Sequence, residues 1–139
     1  MNRKRLNKTL CGIMMLLAAT AIQSAVAGRA DDSVITKMAD GTYVVNTTTL
    51  ASDVKGYRNT TPLKIHVKGD KVVKVEALRN QETPKYWVKV KNEVLGKWDG
   101  KKVSKAIKMK VDGVTGATMS SDAVKENVKR GLKYYQENK

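Results

Sequence analysis

Two short runs of alternating apolar and polar residues, joined by Gly69-Asp70, constrain this chain more than any other feature. In the first, Leu63, Ile65 and Val67 alternate with Lys64, His66 and Lys68; in the second, Lys71 to Leu78, the inward positions fall to Val73, Val75 and Ala77. A period of two marks a strand with one buried and one wet face, and Gly-Asp between two such runs is a hairpin turn. Two strands alone do not stand in water. The β-rich run Gly41-Thr42-Tyr43-Val44-Val45-Asn46-Thr47-Thr48 is therefore expected to pair with them. His66 falls on the lysine face, which reads as a surface residue rather than a general base or metal ligand, and the chain has no second histidine.

After Asn80-Gln81-Glu82-Thr83-Pro84 the period changes. Tyr86, Trp87, Val90, Val94, Leu95 and Trp98 recur at spacings of three and four, which predicts a helix over 85–97 entered at Pro84. Residues 101–108 form a candidate short helix with only Val103, Ala106 and Ile107 as apolar positions. In the last element Val124, Val128, Leu132 and Tyr135 repeat every three or four residues. Ser120-Ser121-Asp122 offers it a capping hydroxyl and an acidic first turn, and Lys129, Arg130 and Lys133 complement the dipole near its end. Strands followed by helices predict an α+β fold: a small antiparallel sheet packed against two or three helices. A hydrophobic content of 41% in 139 residues serves one modest core, hence a single domain.

The first residues stand apart. Arg3, Lys4, Arg5 and Lys8 precede an apolar run from Leu10 to Ala21 that ends in Ala25-Val26-Ala27, the pattern of a secretory signal peptide cut after Ala27. The competing reading is a retained anchor, but the run is shorter than the roughly 20 apolar residues of a spanning helix. Cys11 sits in this segment without a lipoprotein pattern, so the mature chain would have no thiol for a disulfide, a metal or catalysis. Residues 28–39 read as a flexible lead-in, and 40–139 as the domain. Removing four basic residues with the signal lowers the formal net charge from +14 to +10. Export and the lack of any recognition motif argue against nucleic acid. Anionic membrane surfaces, acidic protein partners and a solvated lysine coat remain as readings of that charge.

Ahead of the last helix lies Val111-Asp112-Gly113-Val114-Thr115-Gly116-Ala117-Thr118-Met119-Ser120-Ser121, with two glycines, one alanine and four hydroxyl residues. A loop feeding a helix N-terminus presents free N–H groups and the positive end of the dipole, which favours phosphate. The same residues also suit plain caps and turns, and the physics alone leaves both readings open.

Asp112-Gly113-Val114-Thr115-Gly116-Ala117-Thr118 resembles the D-x-x-[S/T]-G-A-T signature of the FMN-binding domain family, which includes periplasmic subunits of sodium-translocating NADH:quinone reductases. Asp40-Gly41-Thr42-Tyr43 resembles the family's opening D-G-x-Y strand, and Glu82-Thr83-Pro84 its E-T-P motif, with Asn80-Gln81 ahead of it compatible with the pattern. The resemblance implies FMN as cofactor, joined through its phosphate to Thr118 by a flavin transferase that cleaves FAD. It implies that Asp112 is read by the transferase and that Gly116 and Ala117 leave room for the phosphate. The hydroxyls of Thr115, Ser120 and Ser121 would donate to phosphate oxygens, and Glu82 and Thr83 would meet the flavin ring. Trp87 or Trp98 would either stack on the ring or pack in the core, whereas Met109 and Met119 read as gap-filling or loop residues. The implied protein is an extracytoplasmic redox carrier, free or membrane-associated, rather than a stand-alone catalyst, with no metal centre of its own. Its partners would be the transferase, a membrane electron donor and an exported reductase. A non-covalent FMN binder and a non-redox anion- or surface-binding module are the alternatives.

Overall fold

In the computed structural model residues 33–139 are described, and the signal segment read over 1–27 lies outside them. Four strands, β1 (Ile35–Lys37), β2 (Tyr43–Asn46), β3 (Leu63–Lys68) and β4 (Lys71–Ala77), form one antiparallel sheet in the order β1-β2-β3-β4. The expected hairpin is present. Gly69 and Asp70 both take φ 58°, the left-handed pair of a two-residue I′ turn. Val45, Ile65 and Val75 stand in register on the inner face, and Val44, His66 and Lys74 on the outer one. His66 meets Glu76 there, at 3.2 Å.

One inward assignment is corrected. A bulge between His66 and Val67 pairs Val67 with Val72 and His66 with Lys74, so Val73 is the extra residue. Val72 is consequently buried at 1% exposure and Val73 turned out at 49%. Within the segment read as a lead-in, Ile35 pairs with Val45 and packs on the core, which orders residues 35–37 as an edge strand.

The helices are α1 (Pro84–Glu93), α2 (Val103–Ala106) and α3 (Thr118–Asn138), with a 3-10 turn at Leu95–Trp98. Together with the sheet they make a small α+β fold. The continuous helix expected over 85–97 divides at Val94, because the tighter 3-10 turn brings Leu95 and Trp98, three residues apart, onto the same buried side. Trp87 and Trp98 both belong to the core cluster. The chain after the turn covers the free edge of β4: Val72 N donates to Lys101 O and Gly100 N to Val72 O.

Helix α3 crosses the inner face of the sheet, burying Val124, Val128, Leu132 and Tyr135. Its approach is close, since a Cβ on Gly131 would lie 2.5 Å from Ile65 Cδ1. Buried Asn127 accepts from the Thr47 hydroxyl at 2.5 Å and donates to Ala123 O at 2.8 Å, while Thr47 Oγ1 accepts from Leu63 N. This polar bridge fixes where the helix sits along the sheet, and therefore where its N-terminus points. Among the described residues no helix is long and apolar enough to cross a membrane.

Candidate functional site

The N-terminus of α3 begins at Thr118, three residues earlier than the sequence reading placed it. Its N-cap is Ala117, which supplies no side-chain cap. The first intrahelical bond runs from Ser121 N to Ala117 O at 3.0 Å, which leaves the N–H groups of Thr118, Met119 and Ser120 without a helical acceptor. Ahead of them Gly116 takes φ 85°, a left-handed turn that a glycine adopts without strain, and Ala117 N closes back on Val114 O. Thr118 is exposed at this open end.

Ser120 and Ser121 are buried and are not caps. Ser121 Oγ donates to Ala117 O at 2.8 Å and accepts from Val114 N at 3.1 Å, and Gly113 lies against its Cβ. Ser120 Oγ donates to Glu82. A hydroxyl has one proton. Both are committed within the protein, which differs from the expectation that these serines donate to phosphate.

Glu82 is the hub of the site. Only 7% exposed, its carboxylate accepts the backbone N–H groups of Tyr57, Arg58 and Asn59 at 3.1, 2.9 and 3.1 Å, besides the Ser120 hydroxyl. Burial is the largest single influence on this group and would raise its pKa. The Ser120 hydroxyl and the three N–H groups together outweigh it and hold the carboxyl below the usual glutamate range. Gly56 closes the arrangement, since a Cβ there would lie 3.0 Å from three carboxyl atoms of Glu82. One carboxylate thus ties the 56–59 loop, the entry to α1 and the first turn of α3 together.

Between these three segments opens a cleft of about 430 Å³, lined by Tyr57, Glu82, Thr83, Tyr86, Met119 and the run Gly116 to Thr118, with Ser120. That volume lies in the range of small-molecule sites. The Tyr86 ring edge rests beside Gly116, 4.0 Å from where a Cβ would be, and Tyr57 is 70% exposed at the rim. Among the described residues no lysine or arginine lines the cleft. An anion held here would be met by uncapped N–H groups rather than by a cation.

Six of the nine residues anticipated from sequence, Glu82, Thr83, Gly116, Ala117, Thr118 and Ser120, line this cleft. Ser121 is buried behind it, while Asp112 and Thr115 are exposed outside the lining. Of the two readings given for Trp87 and Trp98, the structure shows core packing, and the aromatic residues on the cleft are Tyr57 and Tyr86. Tyr86 was counted in the apolar repeat of α1, and the structure leaves it 41% exposed on the cleft instead of in the core. Nothing local marked Tyr57 or Gly56, which reach the site through Glu82.

The model of the FMN-binding domain family matches residues 56–133, from the loop on Glu82 through most of α3. The chain belongs to the FMN-binding domain family. FMN is accordingly its cofactor, and the geometry suits it: uncapped N–H groups for the phosphate, a glycine turn that admits it, and tyrosines for a planar ring. Strands β1 and β2 fall before the matched stretch and complete the sheet under this FMN-binding domain. No curated protein and no solved structure matches the chain.

Proposed function

We propose that this FMN-binding domain is an exported electron carrier whose FMN is esterified to Thr118. The observation that carries the reading is the placement of an exposed threonine hydroxyl at the uncapped start of α3, on the lip of the cleft. A flavin transferase would join Thr118 Oγ1 to the FMN phosphorus of FAD. The pyrophosphate bond breaks, the hydroxyl proton is lost, and AMP leaves. When bound, the flavin supplies the redox chemistry. The chain's own residues do the rest: the N–H groups of α3 offset the phosphate charge, Gly116 leaves space, and the Glu82 bracket holds the walls fixed.

Thr118 is then a tether and no catalytic nucleophile. The Glu82 carboxylate is engaged by four donors and acts as a wall of the cleft rather than as a base poised toward a substrate. This supports a carrier between a membrane-side donor and an exported reductase. Export itself rests on the pattern of residues 1–27.

Intact mass tests the assignment. Co-expressed with a flavin transferase in a host that exports it, the protein should gain one FMN less one water and turn yellow, and Thr118→Val should lose both. An unmodified, colourless wild-type product overturns the ester, and yellow protein that releases FMN on denaturation replaces it with reversible binding.

A further inference from the structure

The positive charge of this chain is concentrated. Residues 85–110 hold nine lysines and no arginine against Glu93 and Asp99, a surplus of seven. The other described residues hold thirteen basic against nine acidic side chains, a surplus of four over about three times the length. All nine lysines are exposed, and the ion pairs among the described residues involve none of them.

The segment also carries apolar surface at the same place. On α1, Lys85, Val88 and Lys89 follow the i, i+3, i+4 spacing of one stripe. Val88 is 49% exposed, opposite buried Trp87 and Val90, and Tyr86 next to it is 41% exposed. Exposed apolar groups set among lysine ammoniums, with long stems that let each charge reach outward, suit the headgroup boundary of a lipid surface.

Lysine without arginine separates the candidate partners. Protein interfaces favour arginine, whose planar fork fixes carboxylates bidentately, and are depleted in lysine. A lysine is a mobile point charge, suited to a surface where the anions are themselves mobile. We propose that the 85–110 segment docks the domain on an anionic phospholipid bilayer. Because Tyr86 belongs to α1 and lines the cleft, docking through α1 keeps the cleft close to the lipid surface. The inference goes beyond the carrier reading and stands whether or not Thr118 bears a flavin.

The test uses protein isolated from its own cell envelope and vesicles of 30% phosphatidylglycerol in phosphatidylcholine. One variant replaces Lys85, Lys89, Lys105 and Lys108 by glutamine, and a control replaces exposed Lys55, Lys74, Lys129 and Lys133. A third carries arginine at the first four positions, preserving charge. Wild type should bind the anionic vesicles at low salt and weaken at least tenfold on phosphatidylcholine alone or at high salt. The first variant should lose at least tenfold, on the order expected for four lysines, while the control and the arginine variant stay within about threefold. Equal losses in the first variant and the control would reduce the segment to part of a diffuse coat. Wild-type indifference to the anionic lipid would overturn the docking and leave an acidic protein as the occupant.

Discussion

The Ser120 hydroxyl donates to the Glu82 carboxylate across 38 residues of chain, and this bond joins the first turn of α3 to the entry of α1. Glu82 also gathers three consecutive backbone N–H groups from Tyr57 to Asn59. An acidic residue that the sequence offered as a ring contact thereby acts as the bracket that shapes the cleft.

Replacing this carboxylate should therefore cost stability far out of proportion to one side chain. Glu82→Gln keeps the volume but removes the charge and one acceptor oxygen, and sets an NH2 against N–H donors. A loss of about 2 kcal/mol is expected at pH 7 in urea denaturation. A group whose folded pKa is lowered holds its contribution above its unfolded value, 4.5 here, and loses it as the pH falls through the folded value. Wild type should thus lose stability below about pH 4.5 more steeply than the variant. Parallel acid limbs would contradict the role given to Glu82.

Gly56 has no left-handed backbone to excuse it, so its small size is required by packing. The carboxyl it faces is fixed by four hydrogen bonds and cannot swing aside. Gly56→Ala should cost about 1–3 kcal/mol by overpacking, and thermal melting should show it. The effect should shrink in the Glu82→Gln background, because the two residues share one contact.

Tyr135 governs the alkaline side. Burial first, and then its hydrogen bond to Asp70 at 2.6 Å, push its pKa from 10.0 to about 12. A raised folded value means a contribution fully present below pH 10 and lost as the pH rises toward 12. Tyr135→Phe should cost about 1 kcal/mol at pH 7 and lose less than wild type between pH 10 and 12. Melting temperatures across that window decide it.

The hairpin was readable because its turn is local: Gly69-Asp70 is fixed by backbone sterics that neighbouring residues do not alter. The bulge beside it was not, since alternation alone places Val73 inward. Only the edge contacts of residues 100–103 with β4 and the fit against the core select Val72. The helix periods gave α1 and α3, yet the start of α3 moved to Thr118 because Ser120 and Ser121 found partners inside the protein and ceased to be caps.

The sequence by itself determined the α+β class, the hairpin, the amphipathic helices and the signature that names the family, because these depend on residue type and short-range spacing. Tertiary structure alone decided that Glu82 faces inward, that Tyr57 and Tyr86 flank the cleft while Trp87 and Trp98 pack in the core, and that Ser120 and Ser121 give their protons to Glu82 and Ala117 O. Those outcomes hang on which groups meet across tens of residues once α3 lies on the sheet. There a buried carboxylate takes whichever N–H and O–H groups the packing brings within reach.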